Sequence, residues 1–374
     1  MHRFTVLVPA RRATPVVLLL LAAAACADES TTLGPHVALP SFGKQAAGGV
    51  SVTRLPTLGG TAHVYSINDA NVAVGYSTLA SGPAYAFAVR WALANGTWTV
   101  TQFGGSGTRA LAINEVGTVV GDSGRDAVVW LAGGPLEVLG PGEANGVNEA
   151  NVVVGVRHDI GLQAPAAWRQ IAGGWTVTSL DLVPGTTRSP YCLGEATAIN
   201  GSGVVVGFLY DSACVQQYAV KWVPKPNPAE GWEPAAILEN AGGMAKSIPY
   251  GIVGNTIVGE AWPCAVLDGC PRRAYRWSLT PGSPDTGPLG SLDARANGLN
   301  ALGVSVGSYL DPQRMRAVMW SSTGAYTTLP NLSPFNAHWV WDINNPTSTR
   351  AARLAVGGAF SDHHGLAPLV WTIP

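Results

Sequence analysis

Residues 199–207 read Ile199-Asn200-Gly201-Ser202-Gly203-Val204-Val205-Val206-Gly207. An apolar residue runs into an asparagine, turn formers follow, and a β-branched run ends on glycine. That order describes two strands joined by a tight turn, because an asparagine side chain can bond its own backbone and tolerates left-handed geometry. The arrangement recurs. Glycines equivalent to Gly207 stand at Gly75, Gly121, Gly155, Gly259, Gly307 and Gly357, on average every 47 residues. The asparagine seven residues earlier is kept at Asn68, Asn114, Asn148 and Asn300; a longer turn separates Asn344 from Gly357, and Val253 takes the place in the fifth copy. Each glycine is followed by a tryptophan, at Trp91, Trp130, Trp168, Trp222, Trp277, Trp320 and Trp371. Three positions before the tryptophan stands alanine in five copies, and Pro165 or Pro368 in the other two.

Each copy reads as four short strands. The innermost precedes the asparagine, with small residues two positions before it; the second is the β-branched run, the third ends at the tryptophan, and Leu136–Gly140 typifies the fourth. Four strands per repeat with no helical period predict an all-β chain, a single seven-bladed β-propeller of four-stranded blades over residues 49–374. The small residues suit a narrow axis, and the tryptophans suit packing between neighbouring blades. Strand order also predicts closure. The segment Val50–Leu55 is of the fourth type and Leu366–Ile373 of the third, so the N-terminal strand completes the last blade and leaves no free edge.

The segment Leu55-Pro56-Thr57-Leu58-Gly59-Gly60 with Ile67-Asn68, and Ala317-Val318-Met319-Trp320, resembles the HAF-type extracellular repeat of exported bacterial proteins. Arg316, Arg273 and Phe87 stand where that family has its histidine. The resemblance implies an extracellular or surface location and brings no established catalytic residue with it.

Residues 1–25 carry Arg3, Arg11 and Arg12, no acidic residue, and an apolar run from Val16 to Ala25, the pattern of a secretory signal peptide. The run Leu21-Ala22-Ala23-Ala24-Ala25-Cys26 resembles the bacterial lipobox, which implies lipidation at Cys26 and a flexible tether over residues 26–48. Three of the 22 basic residues and none of the 23 acidic ones lie in the leader, so the remainder carries a net charge of -4. Membrane contact is then expected through the lipid anchor only, and nucleic acid, which needs a basic stripe, is not an expected partner. The location expected is the bacterial cell envelope, lipid-anchored, or the exterior. Cys192, Cys214, Cys264 and Cys270 are an even set in an exported chain and predict two disulfides. Three connectivities are open; Cys192 with Cys214 and Cys264 with Cys270 keeps each bridge within one repeat.

Candidate site residues gather in the loops that a propeller presents around its channel mouth. His63, His338, Asp362, His363 and His364 fall in the first and last copies with Asp342, which stands where other copies have serine, alanine or glycine. That sector offers an acid/base pair, with Asp342, His363 and His364 as candidate catalytic residues, or a metal. Arg157-His158-Asp159 with Asp122, Arg125 and Asp126 form a second loop cluster, and Arg272, Arg273, Arg314 and Arg316 a third that suits an acidic ligand. Gly121-Asp122-Ser123-Gly124 lacks the surroundings of a serine nucleophile, and no calcium loop or phosphate cradle appears, so no motif implies a cofactor or a metal. A strong scaffold signal beside a weak chemical one favours a binding module for a protein or glycan, held to the envelope, over an enzyme. The alternative is a secreted polysaccharide hydrolase or lyase acting at the mouth.

Overall fold

The computed structural model describes residues 44–45, 49–159, 162–172, 174–183, 194–211, 217–239, 244–263, 270–283, 286–345 and 352–374. The leader, Cys26, Cys192, Cys214 and Cys264 lie outside the described residues. Among the described residues the fold is all-β, built from four-stranded antiparallel units, with Lys44–Gln45 pairing parallel to Tyr326 and Thr327 at the edge of one of them and one 3-10 turn at Pro228–Glu230.

Unit one consists of Gly59–Ile67, Val72–Leu79, Phe87–Ala94 and Thr97–Ser106. Unit two holds Arg109–Ile113, Val119–Asp122, Asp126–Trp130 and the first half of Leu136–Val147. The second half of that long strand opens unit three, with Val153–Asp159, Leu162–Ile171 and Gly174–Ser179, so these two units share one hydrogen-bonded sheet. Unit four is Gly194–Ile199, Val205–Tyr210, Gln217–Trp222 and Ala236–Ile237; unit five is Lys246–Val253, Thr256–Trp262, Arg273–Ser278 and Gly287–Pro288. Unit six is Ala294–Leu299, Ser305–Asp311, Arg314–Trp320 and Tyr326–Thr328. In unit seven, Ala337–Ile343, Arg353–Ser361 and Gly365–Ile373 are joined by Ser51–Arg54 from the other end of the chain, paired antiparallel from Ser51 opposite Thr372 to Arg54 opposite Leu369.

The repeated residues now have physical reasons. In every unit the ladder between the first two strands shifts register at one residue of the innermost strand: Tyr65, Leu111, Asn145, Thr197, Tyr250, Asn297 and Trp341. Such a bulge bends the strand and re-aims a side chain. It also drives a carbonyl into the neighbouring strand. A Cβ on Gly207 would stand 2.0 Å from the Glu195 carbonyl oxygen, and on the six equivalent glycines 1.9–2.0 Å from the corresponding oxygen. Only glycine fits there.

Each asparagine works twice. In five of them Oδ1 accepts from the backbone N–H four residues on, as Asn114 does from Thr118 at 2.8 Å, and Asn344 accepts across its longer turn from Leu354 N–H, while Asn71, Gly117, Asn151, Gly203 and Gly303 supply the left-handed turn residue. Each Nδ2 donates to a carbonyl of the turn one unit on, at the equivalent asparagine in five cases and at the residue after Val253 in one: Asn68 to Asn114 (3.1 Å), Asn114 to Asn148 (2.8 Å), Asn148 to Asn200 (3.2 Å), Asn200 to Gly254 (2.8 Å), Asn300 to Asn344 (3.1 Å) and Asn344 back to Asn68 (3.5 Å).

The core is divided among the joints between units. Seven apolar clusters each draw on two consecutive units and each hold one repeated tryptophan: Trp130 between units one and two, then Trp168, Trp222, Trp277, Trp320 and Trp371 in order, and Trp91 between units seven and one. Truncating one such buried indole costs about 3–5 kcal/mol. The joints, more than the sheets, therefore hold the units in place.

Candidate functional site at the inner strand ends

The innermost strands of all seven units line a central cavity of about 190 Å³, with Ser66, Asn145, Tyr250, Asn297 and Asp342 among its walls. One end is formed by the asparagine turns. The opposite end is ringed by the residue five positions before each asparagine, which pairs with the residue after the repeat glycine. Those cross-strand pairs are His63 with Tyr76, Arg109 with Asp122, Glu143 with Val156, Glu195 with Phe208, Ile248 with Glu260, Arg295 with Ser308 and Trp339 with Gly358. The bulge residues form a second ring beneath. Where the rest of the repeat is uniform, both rings differ from unit to unit.

The ring divides by chemistry. On units seven, one and two, Tyr65, Leu111, Trp339 and Trp341 form an apolar cluster with Tyr76 and Met315 at its edge. His63 sits within it, 4.5 Å from the Tyr65 ring and 5.7 Å from both indoles, and the Trp341 Nε1–H points at its Nε2 at 3.4 Å. Gly358 makes room for Trp339, since a Cβ there would lie 2.9 Å from the indole. Arg295 lies 5.6 Å from the Trp341 ring, a cation–π approach.

Units two to five bring the carboxylates. Arg109 Nε meets Asp122 at 3.0 Å in a nearly buried pair, and desolvation still holds Asp122 above the usual carboxylate range despite Arg109. Glu143, half-buried, is pushed up to about 8, first by desolvation and then by the charges of Glu195 and Asp122. Glu195 accepts from Asn145 Nδ2 at 2.7 Å, and the buried Tyr250 hydroxyl donates to Glu260, its phenol raised by burial and by that carboxylate.

Several residues singled out in the sequence lie elsewhere. His338 is fully buried and faces the loop before it, its Nε2 3.1 Å from the Leu332 N–H, so it anchors residues 330–336. Asp342 belongs to the central cavity, where its Oδ2 accepts from Ser66 Oγ at 2.7 Å and Ile67 N–H at 3.1 Å across the joint of units seven and one. It pairs with Val356, six residues before Asp362, about 20 Å along a strand. Asp362, His363 and His364 form an exposed turn there, so the expected acid/base pairing of Asp342 with those histidines is not formed. No group of three or more His, Cys, Asp or Glu side chains among the described residues is placed to hold a metal ion. His158 is half-buried at the end of its strand, with burial lowering its pKa. Arg314 is exposed and Arg316 lies 3.5 Å from Asp311, both on the third strand of unit six. Cys270 packs beside Phe208, Ile248, Tyr250 and Trp262, and the expected bridges fall outside the described residues. Of the sequence candidates, His63 and Asp122 enter the ring.

No family model matches the chain, and no curated protein matches it. Among solved structures, a Trypanosoma rangeli sialidase in complex with 2,3-difluorosialic acid is similar at 10% identity and TM-score 0.41, over 89% of this chain and 57% of the sialidase chain. A Dyadobacter fermentans protein of unknown function matches at 12% identity and TM-score 0.46, over 87% of this chain and 100% of its own. A Mycobacterium tuberculosis puromycin-hydrolyzing peptidase matches at 10% identity and TM-score 0.48, over 88% and 55%. No helix among the described residues is long and apolar enough to cross a membrane.

Proposed function

We propose that the chain is a closed seven-bladed propeller that binds a glycan at the end of its axis ringed by the seven cross-strand pairs. Closure is supported by the joint between units seven and one, which has its own tryptophan cluster around Trp91 and its own asparagine link. The observation that carries the glycan reading is the juxtaposition in one ring of an aromatic wall (Trp339, Trp341, Tyr76) with carboxylates and guanidinium groups on the facing units. Sugars present apolar C–H faces and hydroxyl rims, so they need both surfaces at once. Binding of neutral and uronic-acid hexasaccharides is measured with wild type, Tyr76→Ala, Trp339→Ala and, as a remote control, His363→Ala. A loss of tenfold or more in the two ring variants with His363→Ala unchanged is expected; equal affinity in all four sinks the reading.

A second reading, glycan cleavage, is favoured by one feature. Burial, and then the charge of Glu195, push the Glu143 carboxyl up to about 8, and an acid with a raised pKa near a second carboxyl group is what glycosidic bond cleavage requires. Reducing-end release at pH 7 that is abolished by Glu143→Gln while binding is retained supports it; release that survives the substitution removes it. The leader and Cys26 support export and lipid anchoring at the envelope, and palmitate labelling lost in Cys26→Ala is the expected result.

A further inference from the structure

Three buried polar atoms around the axis lack hydrogen-bond partners: Trp339 Nε1, Asn297 Oδ1 and Glu260 Oε2, the last with only the Arg272 guanidinium at 3.8 Å, beyond hydrogen-bond range. All three residues are more than nine-tenths buried. They belong to consecutive units five, six and seven. Asn297 Nδ2 donates to the Val340 carbonyl at 2.6 Å, between Trp339 and Trp341, and Arg295 of the same strand lies over Trp341. Tyr250, beside Asn297 in the bulge ring, fills the other oxygen of Glu260. One contiguous sector thus has a donor and two acceptors unused. Leaving such groups unmade costs stability, so a fold that keeps three together needs a reason beyond packing.

We infer that this sector is a saccharide subsite, in which Glu260 Oε2 and Asn297 Oδ1 accept from sugar hydroxyls and Trp339 Nε1 donates to a hydroxyl or ring oxygen. A polyol is the class that offers adjacent donors and acceptors in one small group. A purely anionic ligand leaves both acceptors unmet, and a purely cationic one leaves the indole N–H unmet. The inference rests on the glycan reading above and narrows it to units five to seven.

The test uses the full chain and defined probes: cellohexaose, chitohexaose, maltohexaose and hexagalacturonate, followed by calorimetry and tryptophan fluorescence. Trp339→Phe keeps the aromatic ring and removes the N–H; Glu260→Gln keeps an oxygen for Tyr250 and replaces Oε2 by an amide donor. Binding of the best probe is expected to weaken about threefold to tenfold in the first and at least tenfold in the second, with thermal midpoints near wild type. Each variant is read by itself, so misfolding of one leaves the other decisive. If a probe binds and Tyr76→Ala weakens it while Trp339→Phe and Glu260→Gln do not, the subsite is overturned and the broader reading stands. If no probe binds wild type, both are overturned.

Discussion

Replacing Asn114 by alanine tests the bonds between units most directly. Asn114 is buried; its Oδ1 takes the Thr118 N–H at 2.8 Å, and its Nδ2 reaches the Asn148 carbonyl at 2.8 Å and Asn151 Oδ1 at 3.1 Å. Alanine leaves the buried Thr118 N–H without this acceptor, at about 1–3 kcal/mol, and removes a cross-unit bond worth about 1 kcal/mol. The Asn148 carbonyl is less affected because it keeps the Asn151 N–H at 3.0 Å. The sum is about 3 kcal/mol, or about 6 °C at roughly 2 °C per kcal/mol for a chain of this size. Urea unfolding followed by tryptophan fluorescence reads it as a lower midpoint at unchanged slope. Asn344→Ala applies the same perturbation where the two ends of the chain meet: Oδ1 accepts from Leu354 N–H at 2.7 Å, and Nδ2 reaches Asn71 Oδ1 at 2.9 Å. A closed ring requires the two variants to lose similar stability. A loss below about 1 kcal/mol at Asn114 refutes the role of these bonds, and a small loss at Asn344 beside a full one at Asn114 refutes closure.

Two further outcomes follow from the same structure. Gly207→Ala must push two strands apart and is expected to cost about 3 kcal/mol or more, whereas Gly201→Ala, with open space around its Cβ, stays within about 0.5 kcal/mol; thermal melts of both decide it. Glu143 binds its proton more tightly folded than unfolded, so its contribution to stability is complete below about pH 4.5 and is lost as pH rises through about 8. Glu143→Gln should therefore flatten the fall in melting temperature between pH 5 and 8. Part of the fall should remain, because Glu115 is pushed up to about 7, first by desolvation. An unchanged pH profile would remove Glu143 from the account.

The scaffold was legible because it repeats. Gly207 and its equivalents, the asparagines and the tryptophans are demanded by a bulge, a turn and a joint that recur in each unit, and equivalent geometry calls for the same residue each time. The ring was not legible by that route. His63 reads from the sequence as a loop residue although it lies in a strand, and Arg109, Glu143, Glu195, Arg295 and Trp339, also inside strands, are passed over by a reading that places polar chemistry in loops. His338, Asp342 and His363 misled for the converse reason. Sequence proximity put them in one sector, while the strand carries the last about 20 Å from the second and burial turns the first toward its own loop.

Variation inside a repeat can mean relaxed constraint, but the ring residues are not cheap to keep. The Asp122 carboxylate and the Arg109 guanidinium are largely out of water, and desolvating an ion costs several kcal/mol even when it is paired. An apolar pair at that position, as Ile248 nearly supplies in unit five, satisfies the fold without that cost. Relaxed positions drift toward the inexpensive solution; these have gone the other way, and differently in each unit. A ligand without sevenfold symmetry gives a physical reason for that, since each unit then meets a different part of it. The uniform joints and the non-uniform ring are thus separable by mutation. Changes at Trp168 or Gly155 should move stability, and changes at Trp339 or Tyr76 should move binding; a ring substitution that lowered stability and left binding intact would count against the division.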